Sequence, residues 1–294
     1  MELDRKGLTA YFILVTLICF AFIFLAKKLG QTVNYVAGFY MLTPALSAVI
    51  VRALFYKYGF RDACFRIGNL KNYLYFWLMG VGIVILYYFI FLLFNAIKLD
   101  FSGGGYLAQM DKIMPGGGAK MIESLPAGMT LKSMLLLFTV GGVTIFNIPG
   151  IILGFGEEFG WRGFMFPQMY RIRPWIAFII GGIIWFAWHI PLSLLSPSID
   201  IIPLWLTIIR YLFLAVGSIC TSALFAYCFF KTKSIFVPSL LHITINNSSR
   251  SFSYWVVIEN QVLADVLLSI TMLLIIAILY FTGEMKVFKT HPEG

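Results

Sequence analysis

Charge is what this chain has least of. Asp, Glu, Lys and Arg make up only 12% of its 294 residues, 60% are hydrophobic, and the mean hydropathy is +0.89. A soluble domain holds about 45–50% apolar residues, so that class is excluded and an integral membrane protein remains. Cysteine pairs are missing too. Cys19, Cys220 and Cys228 lie in apolar segments and Cys64 in a basic loop, with no CxxC spacing, so neither a disulfide framework nor a thiolate zinc site is supported. HExxH, GxSxG and a Gly-rich phosphate loop are all absent, which removes the signatures of zincins, nucleophile-elbow hydrolases and P-loop enzymes. The net charge of +9 is spread over short loops rather than gathered in a stripe, so nucleic acid is not an expected partner.

Long apolar runs are what the chain has instead. Stretches of about 20 residues, enough to cross ~30 Å of hydrocarbon, lie near 8–26, 36–56, 73–96, 133–156, 175–195, 203–230, 235–249 and 262–282. They predict an all-α, polytopic membrane bundle of about eight helices. The seventh is short and ends in NNSSRS, so seven spans with one re-entrant piece stays open. The first segment reads as a retained anchor, since no small-residue cleavage site follows it. Thirteen Lys and Arg fall at the inner ends and seven in the outer loops if the N-terminus is inside. The positive-inside rule then puts both termini in the cytoplasm, and the protein in the cell membrane if prokaryotic. Arg52, near the inner end of the second span, is expected to snorkel to the interface, and Arg210 to snorkel or pair.

The only long connection is 97–132, with FSGGGY and MPGGGAK, and it is either a lid or a connector. No internal repeat is visible. The chain divides by content into N-terminal helices and outer loop (1–130), core helices (131–250), and a last helix with a cytoplasmic tail (251–294), all within one membrane domain.

Polar residues stand out in three segments. GFGEEFGWRGF carries Glu157 and Glu158, and ionisable groups at membrane depth are costly, about 2.5–3.5 kcal/mol each on insertion scales, and so read as functional. Glu158 and Arg162 are one helical turn apart and can pair, whereas Glu157 is turned about 100° away. That separates an orienting pair from a working base. IIWFAWHIPLSLL places Trp185 and His189 on one face, and FVPSLLHITINN does the same for His242 and Asn246. Lipid offers these groups no hydrogen bonds, so they must find partners in the protein. Ser248 and Ser249 follow at what reads as a helix end and are expected to cap it or lie in an interface.

Four such groups suit amide hydrolysis. A carboxylate and an imidazole can activate water, while an imidazole and a carboxamide can stabilise an oxyanion. The same atoms allow a second mechanism, in which Glu157, His189 and His242 are ligands of a zinc ion with water in the fourth position. The cofactor is thus Zn2+ or none.

The three motifs resemble the CPBP family of intramembrane proteases. This CAAX protease and bacteriocin-processing family includes the Rce1-type CAAX prenyl endopeptidases and the Abi proteins. The family pattern EExxxR, FxxxH, HxxxN/D is met by Glu157-Glu158-Phe-Gly-Trp-Arg162, Trp185-Phe-Ala-Trp-His189 and His242-Ile-Thr-Ile-Asn246, in separate apolar segments 32 and 53 residues apart. Trp185 departs from the Phe of the pattern but keeps a large aromatic. The resemblance covers residues 130–250 and implies an eight-helix intramembrane endopeptidase open toward the cytoplasm. It further implies that Glu157 and His189 activate water, that His242 and Asn246 stabilise the oxyanion, and that the substrate is a membrane-associated or lipidated peptide or protein. Two other readings stand beside it: a non-proteolytic immunity or scaffold protein on the same fold, and a transporter using the carboxylates and histidines as a proton relay.

Overall fold

The computed structural model describes residues 3–30, 33–193, 195 and 203–289. The end of the expected cytoplasmic tail, 290–294, lies outside them. Thirteen α-helices are described, together with one pair of three-residue strands.

Helix α1 (Arg5–Lys28) starts at Asp4, whose carboxylate accepts from Gly7 N at 2.9 Å. Helices α2 (Val33–Tyr40) and α3 (Thr43–Leu54) follow, then α4 (Leu70–Leu93), capped by Asn69. Strand β1 (Ile97–Leu99) pairs antiparallel with β2 (Val256–Ile258), Lys98 opposite Val257. Between β1 and the next long helix lie α5 (Gly104–Ile113) and α6 (Gly117–Glu123), so the connection 97–132 is largely folded. Helix α7 (Leu131–Val143) begins with a reciprocal cap between Thr130 and Ser133. Helices α8 (Asn147–Gly160) and α9 (Phe166–Ile172) are joined by a π turn at Trp161–Met165. A second π turn, Ile176–Ile180, leads into α10 (Gly181–Ser193). Last come α11 (Leu204–Thr232), α12 (Phe236–Ser253) and α13 (Gln261–Phe281). Helix α12 packs on α4, α7 and α8, α11 lies between α10 and α13, and α1 reaches α8 through α3.

The all-α membrane bundle is as expected, but its spans differ from the sequence reading. Among the described residues five helices are long and apolar enough to cross a bilayer: α1, the 36–54 stretch, α4, α11 and α13. A sixth is added if α7 and the 147–172 run count as one span, yet they meet at 56°. The expected straight span 133–156 is therefore broken. At the break Phe146 N donates back to Gly141 O at 2.8 Å, and the Phe146 ring lies so close that a Cβ on Gly141 would be 2.5 Å from it. The expected fifth span is the shorter apolar run Ile176–Leu192. Helix α12 is not apolar enough to qualify and continues unbroken through NNSSRS. Ser248 and Ser249 thus lie inside a helix and not at its end, because the turn-forming residues are held by packing on α4 and α7.

Arg52 does not snorkel. It is 2% exposed and points inward, where it pairs with Asp62 and donates to the Gly59 and Gly163 carbonyls. The physical reason lies four residues past Gly163: Pro167 has no N–H to offer that carbonyl, and Arg52 Nη2 takes it. Arg210 is paired with Asp265 on α13.

Candidate active site

Polar side chains from three helices meet where α8 faces α10 and α12. Close backbone approach makes this possible: a Cβ on Gly154 would lie 2.3 Å from Ser239 O of α12, and one on Gly160 would strike Pro44 of α3 at 2.4 Å. Small residues let helices of a membrane bundle come this near.

Glu157 and Glu158 are 2% and 0% exposed, and consecutive helical positions send them to different partners. Glu158 Oε1 accepts from Arg162 Nη1 at 3.2 Å, the expected pair, and also from His242 Nδ1 at 2.7 Å. Arg162 Nη2 continues to Ser222 O of α11 at 3.3 Å, and its guanidinium lies over the rings of Trp185 and Phe225 at 5.3 and 5.0 Å. A buried carboxylate is tolerable only when paired and hydrogen-bonded, and this one has a cation and an imidazole.

Glu157 is held differently. Its Oε2 accepts from the indole N–H of Trp185 at 2.9 Å, while its Oε1 stands 3.9 Å from His242 Nε2, beyond hydrogen-bond reach. The His242 ring is fixed from its face by Phe225, stacked at 4.7 Å and 17°. With Nδ1 engaged by Glu158, the other ring nitrogen faces Glu157.

His189 is half-buried, and its Nδ1 lies 2.8 Å from the Trp185 carbonyl one turn earlier, while Nε2 has no partner among the described residues. Its ring sits edge-on to Trp185 at 4.9 Å and Trp188 at 4.7 Å. Asn246, one turn beyond His242, is exposed and shows no hydrogen bond among the described residues. The zinc alternative needs Glu157, His189 and His242 to converge. Among the described residues no three His, Cys, Asp or Glu side chains lie together as a ligand set, and the steps derived below run through no metal.

Several neighbours were not found from sequence. Trp188 donates its indole N–H to Cys19 Sγ of α1 at 2.9 Å, and its ring stacks on Tyr40 at 4.5 Å, whose hydroxyl donates to Trp188 O at 2.8 Å. The N-terminal helices therefore hold the residue beside His189. Tyr11 packs edge-on to Trp161 at 6.0 Å, and Tyr11 Oη, Trp161 Nε1, Arg162 Nε and Glu158 Oε2 are buried without a partner among the described residues. No motif marks Tyr11, Cys19 or Tyr40, because their link to the site is made only by helix packing.

Residues 132–248 match the family model of the type II CAAX prenyl endopeptidases, Rce1-like. No curated protein matches the chain. The matched stretch runs from the start of α7 into α12 and contains Glu157, Glu158, Arg162, Trp185, His189, His242 and Asn246. By its three motifs and this match, the stretch 132–248, set among membrane-spanning helices, is similar to the CPBP family of membrane proteases, the CAAX-protease-like intramembrane endopeptidases.

Proposed function

We propose that the protein hydrolyses a peptide bond of a membrane-associated or lipidated substrate, using water activated by Glu157 and His189. One observation carries this reading: Glu157 Oε1 and His242 Nε2 face each other across 3.9 Å inside the bundle, with the rest of each side chain tied down. A water with ordinary hydrogen bonds of ~2.8 Å to both atoms fits that gap. Glu157 takes a proton from it as the hydroxide attacks the scissile carbonyl, and His189 Nε2, without a partner among the described residues, assists from α10. The same proton is then delivered to the leaving amine.

The oxyanion falls to α12. His242 Nδ1 donates to Glu158, so Nε2, which holds the water before attack, donates to the oxyanion that follows only as imidazolium. Asn246, exposed one turn along the helix, is available to a substrate and not committed to the protein. Glu158, Arg162 and Trp185 orient the groups that react. The core lies within 131–250, with the described helices of 1–130 bracing it and α13 closing the bundle. The substrate class follows the family: a C-terminal peptide bearing a prenylated cysteine.

Mass spectrometry of such a peptide, farnesylated and incubated with the protein in liposomes, tests the reading. Release of the residues after the modified cysteine supports it. A peptide left intact by folded protein, whether prenylated or not, counts against it.

A further inference from the structure

A cavity of about 480 Å³ opens at the strand-bearing end of the bundle, between α4, α7, the end of α12 and the β1–β2 pair. Its size falls within the ~300–1,000 Å³ of small-molecule sites, and it is remote from the catalytic residues: Phe252, in its wall, is ten residues along α12 from His242.

The walls are carbon. The two aromatic lining residues with polar tips have those tips engaged elsewhere. Tyr88 Oη donates to Ser249 O at 3.0 Å, and Trp255 Nε1 donates to Thr139 Oγ1 at 2.7 Å. One charge stands at the mouth, Lys132, exposed at the second residue of α7. Nearby acids are already committed. Asp100, between the lining residues Leu99 and Phe101, accepts from Ser102 N at 2.9 Å and Gly105 N at 2.6 Å, and Glu259 pairs with Lys98 at 3.1 Å. Among the described residues Lys132 has no ion pair.

We propose that this cavity binds one acyl chain of an anionic phospholipid, with the head phosphate on Lys132. An apolar chain matches walls that are almost wholly carbon, and the one ammonium at the mouth, without an ion pair among the described residues, selects a negative head. Helices α4 and α7 supply the walls, so a lipid reaches the site without leaving the bilayer. The occupant thereby contacts both α7, which leads into the catalytic α8, and α12, which carries His242. The proposal does not depend on the proteolytic reading.

The probes are phosphatidylglycerol, phosphatidylcholine and palmitate, all with brominated acyl chains, titrated into the detergent-solubilised full chain. The Trp255 signal is the fluorescence lost in Trp255→Phe. Phosphatidylglycerol is expected to quench it saturably, at about fivefold lower concentration than phosphatidylcholine, the factor that one lysine contributes at an anionic headgroup (~1 kcal/mol). Lys132→Gln, at an exposed position whose side chain takes no part in the Thr130–Ser133 cap, is expected to bring the two phospholipids together. Equal half-saturation in the unmutated protein, an unchanged preference in Lys132→Gln, or palmitate saturating first would each overturn the assignment.

Discussion

Glu158 accepts a hydrogen bond from His242 Nδ1 at 2.7 Å, joining two helices whose residues are 84 apart in sequence. Glu158 also receives Arg162, so it is the hub of the buried polar cluster and Glu157 is the member left facing open polar atoms.

This gives the two partners of Glu158 different signatures. Arg162→Ala strips a buried carboxylate of its cation and is expected to cost about 3–5 kcal/mol of stability, as one-sided loss of a buried pair does. Glu158→Gln leaves Arg162 as the unpaired buried charge and is expected to share that stability loss, but it also loosens His242, so kcat of the folded protein is expected to fall on the order of 10², the cost of a misplaced reacting group. Thermal melting in detergent and peptide cleavage distinguish them. Full activity in Glu158→Gln would remove its orienting role.

Trp185 replaces the phenylalanine of the family pattern, and its indole N–H is bound to Glu157 at 2.9 Å. Loss of a hydrogen bond to a charged group is worth about 1.5–3 kcal/mol. Trp185→Phe is therefore expected to lower kcat roughly 10- to 100-fold while the chain still inserts and melts near the unmutated protein. Unchanged kcat would mean the extra donor is idle.

Asn246 has no partner to lose, so Asn246→Ala is expected to leave the melting temperature unaltered. Its effect belongs to the reaction: a rate loss of about 10²–10³, as for a missing oxyanion donor, with a measurable residue of activity. A drop in melting temperature with intact kcat would show a packing role instead.

The π turn at Trp161–Met165 offers a test of a different kind. Arg52 takes the Gly163 carbonyl that Pro167 leaves without a donor. Arg52→Gln is expected to destabilise strongly, since Asp62 keeps its charge in a buried setting. Pro167→Ala returns an N–H to the helix, so the double variant is expected to be more stable than the sum of the single changes predicts. Additive melting shifts across the four proteins would show that the two residues do not share that carbonyl.

Much of this site is written in short-range spacing. The turn from Glu158 to Arg162 follows from helical periodicity alone, as does the separate orientation of Glu157. The motifs also mark the three helices that meet. What the sequence does not carry is contact between elements: which indole reaches Glu157, which glutamate holds His242, and that Cys19 and Tyr40 reach Trp188 from the first helices. Hydropathy misjudged the spans for a related reason. It averages over Gly141 to Phe146 and sees apolar residues, whereas the ring of Phe146 folded over a glycine breaks the helix. Arg52 was read from its position near a membrane edge, and only packing shows a carbonyl waiting for it deeper in.

The most direct measurement is the single-turnover cleavage rate of a farnesylated C-terminal peptide by Glu157→Gln beside the unmutated protein, both with melting temperatures recorded. Glutamine keeps the side chain's shape and its bond from Trp185 but cannot take a proton from water. Cleavage lost by at least the ~10²–10⁴ that general base catalysis supplies, with the melting temperature retained, is the predicted result. A Glu157→Gln protein that cuts at the unmutated rate would contradict the account.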